Sequence, residues 1–309
     1  MIQQTPLLER KIIVPIIKDE ALELEKYNYS STLANFFDKF SDEQIRPHYK
    51  NALKCLLLMA YPSNSYRKGY SEMLFAQRQG IISHPIKRSA VCKYMNSIET
   101  YKLLGLLIQE SARQFIRSNQ TLILDSTWMG LKMYVGGFTN KPASKRHSGI
   151  PSLRKTRKLH IGIIRDSKVI AYARTSQGTE HDAKFFEEIV TAVKFNGFDL
   201  NTVLADAGYL SKRHYELTEE LGIQNAFINF RSNSKFGGGS KAWNTAFNLY
   251  KKNHERFRDA YRYRWGVEGV ISTIKRRSMN WLRTRNDVAR DNELMLKALI
   301  HNLVIIGKS

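Results

Sequence analysis

The sequence predicts an α/β fold, a mixed sheet flanked by helices and preceded by an all-α N-terminal region. Three observations lead there. Apolar residues recur at helical spacing through residue 118, and from Thr121 the period shortens to that of strands. Two of the short apolar runs, Thr121-Leu-Ile-Leu-Asp125 and Asn201-Thr-Val-Leu-Ala-Asp206, end in a carboxylate. Strand-like and helix-like segments then alternate, the order that builds a mixed sheet. With 309 residues, 42% of them hydrophobic, the chain can fill one large domain or two modest ones.

In chain order, Ala21–Lys26, Ser31–Phe40 and Pro47–Ala60 have the spacing of amphipathic helices, the last stopped by Pro62. Tyr66–Gln79 and Ile86–Asn96 read as two helices about the break at Gly80, and residues 66–98 resemble a helix-turn-helix. Lys87, Arg88 and Lys93 on the second helix would then contact DNA phosphates. A plain helical hairpin burying Val91, Met95 and Ile98 reads equally well. Glu99–Ile116 continues as a helix, and the polar stretch 117–120 marks the boundary between units 1–118 and 119–309.

Beyond the boundary, Thr121–Asp125 and Leu131–Phe138 read as strands, followed by Lys158–Ile164 and Lys168–Thr175. Asp182–Phe195 is an amphipathic helix, with Thr179 to Asp182 as its cap, and His160 reads as a core histidine. Asn201–Asp206 is a strand, Ser211–Leu221 a helix and Gln224–Phe230 the last strand. Arg231–Lys241, with three consecutive glycines, is a basic loop leading to a helical tail closed by Asn292–Ile306. It lacks the spacing of a nucleotide-binding glycine loop.

Composition narrows the partners. With 49 Lys+Arg against 28 Asp+Glu, the net charge is +21, which calls for a polyanion such as nucleic acid. Residues 141–158 hold seven basic residues and no acid, among them Lys145, Arg146, Arg154, Lys155, Arg157 and Lys158. Such a run is either a solvated loop or, beside an acidic site, a DNA-backbone contact. Residues 251–290 hold twelve basic residues against four acids, with Tyr261, Tyr263, Trp265 and Trp281 interleaved. Those aromatics would stack on unpaired bases or join the core. The longest apolar run, Cys55–Tyr61, is far short of the ~20 residues a bilayer requires, and Met1–Glu20 lacks a signal-peptide core. Two cysteines, Cys55 and Cys92, make neither a disulfide framework nor a zinc pattern. A cytoplasmic protein with no membrane partner is expected.

The polar residues of Ala260–Lys275 carry the most information. Read as one helix, this segment sets Tyr261, Arg264, Glu268 and Lys275 at roughly 0°, 300°, 340° and 320° around the axis, a single stripe about 21 Å long. An extended polyanion could meet all four, the carboxylate serving a cation and the basic residues phosphates. Taken alone, the stripe is equally a solvated charged face. Gly266 and Gly269 fall together on another side, where a close approach to a neighbouring element would explain them. Asp125, Asp206 and Glu268 converge if the two strands are neighbours and the helix packs beside them. Clustered carboxylates repel one another, and hard divalent cations relieve that repulsion.

The spacing Tyr-x2-Arg-x3-Glu-x6-Lys resembles the signature of a large group of insertion-sequence transposases of the DDE type. Leu124-Asp125-Ser126-Thr127 and Ala205-Asp206-Ala207-Gly208 resemble that family's first and second acidic motifs. The resemblance covers roughly residues 121–275. It implies a ribonuclease-H-like core with Asp125, Asp206 and Glu268 as catalytic metal ligands for two Mg²⁺, Mn²⁺ being able to substitute. It further implies that Tyr261, Arg264 and Lys275 hold double-stranded DNA, and that a homodimer or larger assembly cuts element ends and joins them to target DNA. The short spacing before Glu268 leaves room only for a loop where many members carry an insertion. A metal-dependent nuclease without strand transfer, and a DNA-binding repressor or decayed copy, are the alternatives.

Overall fold

A twelve-residue strand, β1 (Gln120–Leu131), is the axis of the sheet. The computed structural model describes residues 28–61, 65–131, 156–238 and 240–309. Five further strands follow: β2 (Arg157–Ile164), β3 (Ile170–Gln177), β4 (Leu200–Ala205), β5 (Asn225–Ile228) and β6 (Trp281–Leu282). The sheet order is β3-β2-β1-β4-β5, and β6 pairs with the far end of β1. β1 runs antiparallel to β2 and parallel to β4, as β4 does to β5. This is the ribonuclease-H-like mixed sheet that the resemblance implied.

The parallel register aligns Leu124 with Ala205. The next residue along each chain is an aspartate, so Asp125, midway along β1, stands beside Asp206, which directly follows β4. Side chains alternate across the sheet. Leu122 and Leu124 join the apolar cluster beneath α6 (Phe186–Phe195), whereas Ile123 joins the cluster on the opposite face.

That opposite face is covered by α10 (Trp265–Ser278), α11 (Asp287–Ile306) and the N-terminal helices. These last are a helix over residues 28–38 (α1), α2 (Pro47–Ala60), α3 (Tyr66–Arg78), α4 (Arg88–Met95) and α5 (Ile98–Ala112). Leu33, Leu56 and Leu104 share one buried cluster with Ile161, Leu204 and Leu299, so the helical region and the sheet have a common core. The fully buried Asn302 of α11 fastens this layer to the edge strand. Its side chain accepts from the Ile170 N–H and donates to the Ile170 carbonyl and the Ser111 hydroxyl, each at 2.8 Å. Edge backbone groups of β3 are thereby satisfied without a further strand.

Several expectations change. β1 continues beyond Asp125, because Ser126–Met129 keep pairing with β2. Its described part runs to Leu131, and the rest of the strand expected over Leu131–Phe138 lies outside the described residues, as do Ala21–Lys26, Lys145, Arg146, Arg154 and Lys155. The link between α3 and α4 spans residues 79–87, longer than a three- to four-residue helix-turn-helix turn. Asn51 of α2 pins it, accepting from Ser83 N–H and donating to the His84 carbonyl. Val91 and Met95 are buried but Ile98 is exposed. Between β5 and Glu268 lie two helices as well as a loop, α8 (Lys241–Lys252) and α9 (His254–Tyr261). α7 (Lys212–Glu220) packs against α8 and β5, and Trp243 and Phe247 of α8 fill the core there.

The helix expected over Ala260–Lys275 is interrupted. Arg262–Arg264 form a 3₁₀ turn between α9 and α10. Arg165, from the β2–β3 turn, stacks on Tyr263 there at 3.5 Å from the ring centre. The two glycines part company: a Cβ on Gly266 would stand 2.8 Å from Lys168 Nζ and 3.7 Å from Ile123 Cδ1, while one on Gly269 would meet open space. Gly266 thus leaves room for the Lys168 side chain between α10 and the sheet.

Candidate active site

The acids are placed by three different devices. Asp125 is held by β1, with its own Oδ1 accepting the Ser126 N–H at 2.8 Å. Asp206 ends β4 and caps the 3₁₀ turn Ala207–Tyr209, its Oδ1 accepting the Gly208 N–H at 2.9 Å. Arg231 holds that turn from the other side, donating to the Ala207 carbonyl. Glu268 lies in the first turn of α10.

Arg264 joins two of the three acids. One guanidinium nitrogen donates to Asp125 Oδ2 at 3.1 Å and another to Glu268 Oε1 at 2.5 Å. The side chain is only 13% exposed, and its Nε has no hydrogen-bond partner. Tyr261 flanks it, the ring centre 5.9 Å from the guanidinium carbon. Burial pushes the Asp125 carboxyl up to about 6; the charges of Asp206 and Glu268 add to this, against the Ser126 N–H and Arg264. Burial lowers Lys275, with Asp125 opposing it, and raises Tyr261.

A fourth acid, Asp182, stands beside this group. Its Oδ1 accepts from the Ser126 hydroxyl at 2.7 Å, pairs with Lys158 Nζ at 2.6 Å and lies 3.3 Å from His160 Nδ1. A Cβ on Gly208 would meet Asp206 Oδ1 at 2.9 Å and Asp182 Oδ2 at 3.2 Å, so the two carboxylates face the same glycine. Burial would push Asp182 up, but His160, Lys158 and Ser126 more than offset that and hold it at about 2. Beneath lies Tyr209, fully buried, its hydroxyl without a hydrogen-bond partner. Burial raises it well above the usual tyrosine range, and the charges of Asp182, Asp125 and Asp206 push the same way.

Two expected phosphate contacts face inward. Lys158 is 3% exposed, engaged by Asp182 and lying over the Trp128 ring at 4.6 Å. Arg157 pairs with Asp291 of α11, Nε to Oδ1 at 2.8 Å. As neighbours on β2 the two point to opposite faces, where Asp182 engages Lys158 and Asp291 engages Arg157, so neither joins a free phosphate-contact surface. His160 is a core histidine, fully buried, with Nε2 2.8 Å from the Ser176 hydroxyl; burial lowers its pKa, against Asp182. Asp182 opens a 3₁₀ turn, Asp182–Phe185, whose N-cap His181 makes no side-chain cap bond, so the expected cap is replaced by the contacts to β1 and β2. Sequence reasoning passed over Asp182 as a site residue. Its signal was Lys158 and His160, two polar side chains on one face of an otherwise apolar strand.

Lys87, Arg88 and Lys93 are exposed on and before α4. Trp265 is 66% exposed, and Trp281 is half-buried at the rim of a cleft of about 720 Å³. The cleft is bounded by Ser126, Thr127, Glu268, Ser272, Lys275 and Trp281. Its floor bends at Met279, which adopts φ 64°. The buried Lys297 holds the bend by donating to the carbonyls of Met279 at 3.0 Å and Trp281 at 2.9 Å.

Two aspartates on neighbouring strands and a glutamate on the helix packed beside them, joined through Arg264, sit on a ribonuclease-H-like sheet. The sequence carries the identification further. A sequence model of the transposase DDE domain matches residues 117–303, and the chain belongs to that family of transposases. No curated protein matches it. Among the described residues, no helix is long and apolar enough to cross a membrane.

The family uses divalent metal. The donor set fits a hard cation, being all carboxylate oxygen with Asp125 under electrostatic tension from the other two acids. The spacing does not yet provide the site: among the described residues no three Asp, Glu, His or Cys side chains gather closely enough to hold one ion, and Arg264 stands between Asp125 and Glu268.

Proposed function

We propose that this transposase cuts at the terminal inverted repeats of an insertion sequence and joins the freed 3′-OH ends to target DNA. The observation that carries the reading is the β1–β4 register, which sets Asp125 beside Asp206 on the face edge where Arg264 ties in Glu268. Asp125, Asp206 and Glu268 would hold two Mg²⁺, or Mn²⁺ in their place. Bound there, such ions would supply Lewis-acid activation for a phosphoryl displacement.

The chain's own residues do the rest. The Ser126 and Gly208 N–H groups fix the aspartate orientations before DNA arrives. Tyr261, Arg264 and Lys275 line up the phosphate backbone, and a strand laid in the cleft beside Glu268 passes Lys275. Lys87, Arg88 and Lys93 extend the phosphate contacts to the helical region 1–118, which we assign to DNA binding and assembly. Because two ends must be joined, a homodimer or larger assembly on DNA is expected, in the cytoplasm. No protein nucleophile is required.

A labelled duplex ending in the DNA repeat that flanks the gene, incubated with plasmid and Mg²⁺, tests this. Joined product supports the transposase reading. Nicking without joining favours a nuclease, and binding without cutting favours a repressor or decayed copy.

A further inference from the structure

We infer that Arg264 is a displaceable counter-ion that closes the acid site in the absence of DNA and couples phosphate binding to metal binding. This rests on the reading of Asp125, Asp206 and Glu268 as metal ligands. Arg264 satisfies with one guanidinium the two acids that a cation would bridge. A guanidinium and a dication compete for that space, since like charges at ~4 Å repel and both Arg264 and Asp125 are largely screened from water, at 13% and 15% exposure. Metal therefore enters as Arg264 leaves.

The structure supplies both a joint and a reason to move. Arg264 closes the 3₁₀ turn between α9 and α10, a short irregular segment inside an otherwise helical run, where a shift costs few helical bonds. Its Nε lies buried and unpaired, so its present station leaves a donor unsatisfied. A DNA phosphate offers a bidentate partner for the same fork. Once the phosphate takes Arg264, Asp125 and Glu268 lose their counter-ion and attract metal. By reciprocity, metal binding frees Arg264 for phosphate, so each ligand tightens the other. The empty transposase is thus kept from loading metal before it holds DNA.

The test measures Mn²⁺ binding by electron paramagnetic resonance of the free ion, with and without a short duplex, subtracting binding to duplex alone. Wild type should bind Mn²⁺ weakly, and at least about tenfold more tightly with duplex, the worth of one ionic hydrogen bond. Arg264→Gln should bind Mn²⁺ about tenfold more tightly than wild type without DNA and gain little from duplex. Arg264→Lys, which keeps charge but not the fork, should fall between, and covers the case in which Arg264→Gln fails to fold. Equal or weaker Mn²⁺ binding by folded Arg264→Gln, or by Arg264→Lys in its stead, overturns the inference. Asp125→Asn separates the two levels. If it leaves wild-type Mn²⁺ binding intact, the metal-site reading itself fails. If it abolishes binding while the Arg264 variants match wild type, only the gating role fails.

Discussion

Replacing Asp125 by Asn should stabilise the metal-free protein, because the fold holds an ionised carboxylate there at a cost. The folded carboxyl titrates at about 6 against an ordinary value of 3.8, with burial the main cause. An acid whose pKa is raised on folding contributes no penalty below its unfolded pKa, and loses stability as pH climbs through the folded value. The difference of 2.2 units, at 1.36 kcal/mol each, sets an upper bound of about 3 kcal/mol above pH 7. The side chain is 15% exposed, so solvent screening removes little of this. Asparagine mimics the neutral acid in shape, although it leaves Arg264 with a weaker partner. Urea unfolding in EDTA should therefore show Asp125→Asn more stable by ~1–3 kcal/mol at pH 7.5 and level with wild type at pH 4. A variant no more stable than wild type at pH 7.5 would refute the claim that Asp125 is strained by burial and its acidic neighbours. Such a cost is what an active site carries when its charges are arranged for a ligand rather than for the fold.

The other predictions concern the surroundings. Asp182→Asn leaves Lys158, 3% exposed, without its carboxylate, and should cost about 3–5 kcal/mol in urea unfolding at neutral pH. In wild type the Asp182 carboxyl is held at about 2, a depressed value, so its contribution of roughly 2 kcal/mol should be complete above pH 4 and fade as pH falls toward 2. Gly208→Ala places a methyl 2.9 Å from Asp206 Oδ1 and 3.2 Å from Asp182 Oδ2, and should lower strand cleavage about 100-fold while the unfolding midpoint moves little. Lys275→Ala should weaken duplex binding and reduce the slope of log K against log salt by about 1; an unchanged slope would remove Lys275 from the backbone contacts.

Much of this site was legible because its parts are local. Each aspartate follows an apolar strand-like run, which marks the strand that carries it, although β1 then continues past Asp125 while β4 stops just before Asp206. The Tyr-Arg-Glu-Lys spacing is likewise contained within fifteen residues. What escaped notice depends on pairing between distant segments. Ser126 to Met129 look like a turn after Asp125, and only their partners on β2 keep them in the strand. Lys158 reads as the last member of a basic run, yet strand alternation turns it inward to an acid 24 positions away. Asp182 has the local appearance of a helix cap, and its role emerges only when β1 and β2 bring Ser126, Lys158 and His160 beside it. The 3₁₀ turn at Arg262–Arg264 is hidden for a similar reason. No helix breaker marks it, and the Arg165–Tyr263 stack beside it comes from the β2–β3 turn.

The central claim is that Asp125, Asp206 and Glu268 form one metal-dependent centre for strand transfer. It is tested most directly by comparing wild type with Glu268→Gln on a pre-cut repeat duplex, plasmid target and Mg²⁺, reading joined product and duplex affinity from the same preparations. The account predicts joined product from wild type alone, with duplex affinity of Glu268→Gln at or slightly above wild type because a negative charge has been removed. Joining by Glu268→Gln at the wild-type rate would contradict it.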